Sequence, residues 1–208
     1  MKVLTFGEIM LRLKTPEYLR IVQADGFEAS YGGAESNVAV SLASFGDEAA
    51  FVTKLPENPV GEAALNELRR YGVDTSLILK GGPRLGIYYF EKGTNIRPTN
   101  VVYDRAGSSI SVADSSEFDW EKLLSGIGIF YFSGVTPAIS DSIAKAVEEA
   151  LIYCHAHHIQ VVCDLNYRSK MWSCEKAQSV VNYPSPKGNG LVTAQSYERL
   201  APPTFNPR

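Results

Sequence analysis

The sequence predicts an α/β protein in which helices cover both faces of a doubly wound, mainly parallel sheet, with a small β lid added to it. Short apolar segments typical of buried strands alternate along the chain with segments of helical period. Strands that are connected through helices pair in parallel by right-handed crossovers. Two consecutive β-rich segments interrupt this alternation with no helix between them, and they predict the lid.

In the first part of the chain, apolar segments predict strands at 2–6, 49–55 and 76–79. Segments with apolar residues on each helical turn predict two helices, 36–45 and 59–71. The side chains expected to face the core from these helices are Val38, Leu42, Phe45, Val60, Ala64, Leu68 and Tyr71. Gly46 and Gly72 follow the helices directly, which is where glycine commonly ends a helix.

The lid is predicted from residues 86–91 and 100–105, which are joined by a turn that contains Gly, Asn and Pro. This arrangement is typical of an antiparallel hairpin. The stretch 11–30 also lacks helical period and could supply one or two further strands. We interpret the insertions at about 12–30 and 84–105 as one lid above a glycine-containing turn at 31–37.

Alternation resumes in the second part of the chain. We expect a short helix at 119–124, a strand at 127–132, a long amphipathic helix at 140–158 and a strand at 159–164. The long helix places Ile143, Val147, Leu151 and Cys154 on one face, so Cys154 is expected in the core.

The turn at 31–37 is the first candidate binding element. Gly32 and Gly33 lack a Cβ atom, so the backbone there could approach a bound ligand closely. The following helix offers free amide groups and the positive end of its dipole. Asn37 lies about one turn inside that helix, from where its amide can point back toward the glycines. A plain tight turn before a capped helix is the alternative explanation.

Polar residues follow several predicted strands, at the end where open α/β sheets collect their ligands. The groups at these ends are Glu8, the turn at Gly32-Gly33, the pair Ser133-Gly134, and Asp164, Asn166 and Arg168. The first strand continues into Gly7-Glu8-Ile9-Met10, which is not the glycine fingerprint of dinucleotide-binding proteins. The sequence also contains neither a Walker A loop nor the G-x-S-x-G elbow of serine hydrolases.

Composition favours a small-molecule partner. A net charge of −3 over 208 residues offers no footprint for nucleic acid, and no apolar run approaches the length of a membrane span. We therefore expect a cytoplasmic protein with no nucleic-acid or membrane partner. Cys154, Cys163 and Cys174 show no metal-ligand spacing and are interpreted as free thiols, although the histidines after Cys154 leave a metal site as a weak alternative.

The motif Gly32-Gly33-x-x-x-Asn37-x-Ala39, followed by Gly46 and Gly61, resembles the N-terminal signature of the ribokinase-like (PfkB) carbohydrate kinases. A second family element is Asp164-x-Asn166-x-Arg168 after a strand. The resemblance covers residues 1–181. Within the family the chain is most similar to 2-keto-3-deoxygluconate kinases, through Gly7-Glu8, the lid segment 86–89 and the segment 103–108.

This resemblance implies a sugar or sugar-acid kinase that uses ATP and Mg²⁺. The implied sugar-binding residues are Gly32, Gly33, Asn37, Tyr88, Tyr89, Tyr103, Arg105, Gly134 and Arg168. Asp164 and Asn166 would face the nucleotide phosphates. Tyr88 and Tyr89 are adjacent in a strand and point to opposite faces, so at most one is expected to contact the sugar.

Each assignment has a structural alternative. Tyr103 and Arg105 could be a solvated stacked pair, and Arg168 could be the partner of a nearby carboxylate. In the alignment that the resemblance implies, Arg12 stands where ribokinases and many fructokinases carry an acidic sugar-binding residue. This difference favours a sugar acid as substrate. Related kinases often pair through their lids, which implies a homodimer.

The catalytic base of the family comes from a late Gly-Ala-Gly-Asp motif, which this sequence does not contain, and no Asp follows Asp164. Residues 182–208 are rich in Pro and Gly, show no strand or helix period and do not resemble the family. We interpret the chain as the N-terminal part of a kinase fold followed by an unrelated tail. The alternatives are a non-catalytic sugar-acid-binding protein, an inactive fragment, and a fructokinase-like or other sugar kinase.

Overall fold

The structure is a computed structural model that describes residues 1–167, 171–173, 175 and 190–193, the last four by their backbone alone. The strands are β1 Val3–Phe6, β2 Met10–Lys14, β3 Glu28–Gly32, β4 Ala49–Val52, β5 Lys54–Leu55, β6 Leu79–Lys80, β7 Ile87–Glu91, β8 Asn100–Asp104, β9 Ile129–Ser133, β10 Gln160–Asp164 and β11 Gly190–Thr193. The helices are α1 Ala34–Ser44, α2 Pro59–Arg70, α3 Trp120–Leu123 and α4 Asp141–Ala156.

The central sheet is parallel, with the strand order β11-β10-β9-β1-β4. Side chains alternate across it, so Phe6 packs into a core with α3 and α4, whereas Phe51 packs into a second core with α1 and α2. The two cores lie on opposite faces of the sheet. The predicted α/β class, with helices on both faces, is confirmed.

The lid is a separate four-stranded sheet with the order β3-β2-β7-β8. The predicted hairpin is present as the antiparallel pair β7–β8, and the stretch 11–30 supplies β2 and β3. A parallel pairing of β2 with β7 joins these two halves of the lid. The predicted strand 49–55 is divided, because its second part, β5, leaves the central sheet and pairs with β6.

Three of the predicted core residues on α1 and α2 are exposed instead. Phe45 is 85% exposed, Tyr71 is 44% exposed and Val60 is 42% exposed. Phe45 and Tyr71 each stand one residue beyond the last helical residue, where the chain already turns away toward a glycine with positive φ. Val60 flanks the buried stripe of α2, which consists of Gly61, Ala64, Leu65 and Leu68.

Strand β11 corrects the expectation that residues 182–208 contribute no strand. Its four residues pair in parallel with β10, so that Leu191 lies opposite Val162 and Thr193 lies opposite Asp164. A segment this short has no measurable period, which is why the sequence did not reveal it. The other expectations for 182–208 fall outside the described residues.

Cys154 is fully buried in α4, as predicted, and Cys163 is buried in β10; both are free thiols. Burial raises the pKa of each thiol to about 12, so neither is a reactive thiolate at neutral pH. Cys174 lies outside the described residues. Among the helices of the described part of the chain, none has the length and apolar character needed to cross a bilayer.

Candidate sugar-binding site

The candidate site lies at the carboxyl end of the central sheet, beneath the lid. Strand β1 ends at Phe6 and its neighbour β9 ends at Ser133, so the residues that follow them lie side by side. The turn from β3 into α1 lies against the same place, because the backbone of Gly33 packs on Glu8. The site is therefore formed where the body of the protein meets the lid.

Gly33 is the N-cap of α1, and its φ of −171° is an extended value that any residue can adopt. Its need for glycine is steric, since a Cβ at this position would lie 1.9 Å from the carbonyl oxygen of Glu8. The backbone of Glu8 cannot withdraw without disturbing the chain between β1 and β2. Gly33 thus has a structural role whether or not a ligand contacts it.

Gly32 has a different environment. A Cβ at Gly32 would lie 3.2 Å from Asn37 Oδ1 and 3.9 Å from the hydroxyl of Tyr88. The backbone amide of Asn37 donates to the carbonyl of Gly33 at 2.9 Å, which fixes the first turn of α1, while its side chain stays exposed. The structure therefore brings together Gly32, Asn37 and Tyr88, three of the residues implied by the sequence.

The lid places its two adjacent tyrosines on opposite faces. Tyr88 lies beside Tyr103 of the neighbouring strand, with their ring centroids 5.8 Å apart. Tyr89 packs edge to face on Phe27 at 5.7 Å, on the other face of the lid. Of the two, Tyr88 is the one that faces Gly32 and Asn37. Burial raises the pKa of Tyr88, although the positive charge of Arg12 opposes this shift.

Arg105 reaches from the end of the lid hairpin to Glu8 in the body, and the two side chains form an ion pair. Glu8 is 4% exposed, and no described residue donates a hydrogen bond of good geometry to either of its carboxylate oxygens. Glu8 and Arg105 therefore attract each other through their opposite charges and not through a well-directed hydrogen bond. Arg105 Nη1 also lies 3.9 Å from the sulfur of Met171. The sequence predicted a site role for Arg105 but not its pairing with Glu8.

A second buried carboxyl, Glu35, was missed by the sequence analysis. Its Oε1 accepts hydrogen bonds from the backbone N–H of Ser133 at 3.1 Å, from the Ser133 hydroxyl at 2.5 Å and from the Thr136 hydroxyl at 2.8 Å. Burial raises the pKa of Glu35, and these hydrogen bonds act in the opposite direction. An acidic residue in the first turn of a helix that follows two glycines is the signal that could have indicated it.

Gly134 joins the ends of two central strands. Its N–H donates to the carbonyl oxygen of Asp164 at 2.8 Å, and a Cβ on it would lie 2.2 Å from the carbonyl oxygen of Leu165. Asp164 Oδ1 accepts from the N–H of Asn166 at 3.1 Å, which holds Asn166 at a positive φ of 33°. Arg168 lies outside the described residues.

This edge of the sheet fits the phosphate side of a nucleotide only in part. Asp164 can supply one carboxylate and Asn166 one amide, and among the described residues no three metal-binding side chains come together. Mg²⁺ in phosphoryl-transfer enzymes is commonly held by one or two carboxylates together with the substrate phosphates. The described residues could accordingly hold Mg²⁺ only together with the phosphates that it accompanies.

The chain is similar to known carbohydrate kinases. The family model described as pfkB family carbohydrate kinase matches residues 1–186. A 2-dehydro-3-deoxygalactonokinase of Haloferax volcanii is 39% identical over 194 residues, which are 93% of this chain and 61% of the relative.

Solved structures agree with this match. The crystal structure of 2-dehydro-3-deoxygluconokinase from Thermotoga maritima matches with a TM-score of 0.85 and 52% identity, over 88% of this chain and 56% of that one. A PfkB family carbohydrate kinase from Listeria grayi matches with the same TM-score of 0.85 and 36% identity, over 88% and 57% of the two chains. The chain thus spans a little over half the length of these relatives.

Proposed function

Because the chain belongs to the pfkB family of carbohydrate kinases, we propose that it supplies the sugar-binding side of an ATP-dependent kinase. The proposed substrate is a sugar acid such as 2-keto-3-deoxygluconate, which would be phosphorylated on its 6-hydroxyl. The relatives at 39% and 52% identity are named for two closely related sugar acids of this kind.

One observation carries the proposal. Gly32, at the end of lid strand β3, and Asn37 of α1 in the body meet Tyr88 of the lid at one place, with Tyr103 next to Tyr88 and the Glu8–Arg105 ion pair joining lid and body. Amide and phenol groups suit the hydroxyls of a sugar, and an aromatic surface suits its carbon face. A site of this kind binds a small polyol and excludes water from it when the lid covers the sugar.

In this proposal the chain's own residues bind and orient the sugar. Asn37 and the backbone at Gly32 and Gly33 would hold hydroxyl groups, and Asp164 and Asn166 would face the phosphates of the nucleotide. ATP, with its Mg²⁺, would supply the phosphoryl group when bound. Since the sequence lacks the Gly-Ala-Gly-Asp motif that carries the family's base, binding is the property by which this chain is best tested.

The test compares Tyr88→Phe with Tyr89→Phe, two variants that each remove one hydroxyl from adjacent positions on opposite faces of the lid. Calorimetric titration of the 208-residue chain with 2-keto-3-deoxygluconate should show binding. Tyr88→Phe should weaken it about tenfold, because one hydrogen bond to the sugar is lost, whereas Tyr89→Phe should leave it unchanged.

A neutral analogue separates the two candidate substrate classes. In 3-deoxyfructose a hydroxymethyl group replaces the carboxylate of 2-keto-3-deoxygluconate and the rest of the molecule is the same. Weaker binding of 3-deoxyfructose is expected for a sugar-acid site. Equal or tighter binding of the neutral sugar would instead favour a fructokinase-like function, and binding of neither ligand would contradict the proposal.

We further propose that two copies pair through their lids. Val102 and Tyr103 on the outer strand β8 are 45% and 57% exposed, and strand β8 has one side that no described strand pairs with. Sedimentation equilibrium should give the mass of a dimer, and Val102→Glu should reduce it to that of a monomer. Val112→Glu is the control, because Val112 is similarly exposed at 54% but lies outside the lid sheet. A monomeric unchanged chain would refute lid pairing.

A further inference from the structure

The cations of the lid differ in how their charge is balanced. Lys14 is paired with Glu28 at 2.7 Å, Arg84 with Asp104 at 2.8 Å, and Arg105 with Glu8. Arg12 has no such partner: within the described part of the chain its Nε is buried and donates to no acceptor, and no ion pair includes it. Arg12 is therefore a positive charge that these residues leave uncompensated.

The position of Arg12 is set by its strand and by stacking. It lies opposite Tyr88 in the pairing of β2 with β7, so both side chains are on the face of the lid that looks toward Gly32 and Asn37. Its guanidinium carbon is 4.1 Å from the centre of the Phe90 ring. Such stacking fixes the plane of the guanidinium group and leaves its N–H edge available for a planar partner.

Arg12 also lies close enough to Tyr88 for its charge to act on the Tyr88 hydroxyl, where it opposes the effect of burial on the pKa. A Cβ at Gly32 would lie 3.9 Å from that hydroxyl, which is about as close as the amide nitrogen of Asn37. The unbalanced charge of Arg12 thus borders the candidate sugar site and is not remote from it.

We propose that Arg12 binds the carboxylate of the substrate and so determines the preference of the site for a sugar acid over a neutral sugar. This inference rests on the proposed function. Arg105 already has a carboxylate partner in Glu8, so it contributes little net charge to the site. A carboxylate that accepted two N–H groups of Arg12 would give the forked, charge-assisted pairing for which a stacked guanidinium is preorganised.

Arg12→Met tests the inference, because it keeps an unbranched side chain over Phe90 and removes the charge. In calorimetric titrations of the 208-residue chain, this variant should bind 2-keto-3-deoxygluconate about 10- to 100-fold more weakly. Its affinity for 3-deoxyfructose should change by less than about threefold. Arg12→Lys keeps a point charge without the fork and should lose less affinity for the acid than Arg12→Met does.

Lys14→Met is the matched control, since Lys14 is two residues along the same strand and face but is already paired with Glu28. It should leave the binding of both ligands unchanged. Equal losses for the acid and the neutral sugar in Arg12→Met, or no loss for the acid, would overturn the role of Arg12 while the proposed function stands.

Two further outcomes are decisive in other ways. Should the unchanged chain bind no sugar acid, the proposed function fails, and the role of Arg12 fails with it. If Arg12→Met lacks the cooperative thermal transition of the unchanged chain, its binding cannot be compared and Arg12→Lys provides the test. If Arg12→Lys prefers the acid over the neutral sugar as strongly as the unchanged chain does, forked recognition by Arg12 is excluded.

Discussion

Gly33→Ala is expected to lower the free energy of unfolding by about 3 kcal/mol or more, because the new methyl group would overlap a backbone atom that cannot move aside. The Cβ would lie 1.9 Å from the carbonyl oxygen of Glu8 and 3.1 Å from the hydroxyl oxygen of Ser36. Relief would require the β3–α1 turn to separate from the segment between β1 and β2. Urea unfolding followed by far-UV circular dichroism measures the effect.

Gly26→Ala serves as the control for this variant. Nothing lies within 4 Å of a Cβ at Gly26, which also belongs to the lid segment before β3. Its free energy of unfolding should change by less than about 0.5 kcal/mol. Similar destabilisation by the two alanines would show that Gly33 is not in contact with Glu8.

Glu35→Ala is expected to cost about 3 to 5 kcal/mol, because it leaves the buried N–H and hydroxyl of Ser133 without their acceptor and leaves the Thr136 hydroxyl only the carbonyl oxygen of Phe6. The loss should appear in the same urea titrations. Thr136→Val removes a single hydroxyl from this network and should cost less, about 1 to 3 kcal/mol. If Glu35→Ala were as stable as the unchanged chain, the carboxyl could not be buried as the structure places it.

The pH dependence of Glu35→Gln tests the protonation of this carboxyl. Since burial raises the pKa of Glu35 in the folded state, its contribution to stability is full below the pKa of the unfolded chain and declines as pH rises through the folded pKa. Gln cannot ionise and shows no such decline. The Gln variant should therefore gain stability relative to the unchanged chain as pH rises from about 4.5, the ordinary Glu value. A difference that does not vary with pH would contradict the raised pKa.

Local patterns predicted the elements of this fold well, because a buried parallel strand and an amphipathic helix each carry their own period. They also limited the proposed sugar contact to one of two adjacent tyrosines. Which tyrosine it is depends on the register of β7 against β2 and β8, and therefore on pairings between distant segments. The helix ends were less predictable: Phe45 continues the apolar pattern of α1 but follows its last helical residue.

The contacts that shape the site join residues that are far apart in the chain. Glu8 pairs with Arg105, and Glu35 binds Ser133 and Thr136, at separations that no local period reports. The lack of a partner for Arg12 is likewise visible only when the neighbours of its guanidinium group are known. Sequence reasoning found the residues of Gly32-Gly33 and Asn37 but attributed the glycines to a ligand, whereas Gly33 already has a packing reason.

Two of the four connections between the lid and the body are very short. Three residues separate β1 from β2, and only Gly33 separates β3 from α1, while 92–99 and 15–27 are the longer connections within the lid. An inserted residue at either short connection would shift the lid residues of the candidate site relative to those of the body. The turn around Ile96, which is 97% exposed and lies within one of the longer connections of the lid, is by contrast a place where a peptide tag or a reporter group can be added.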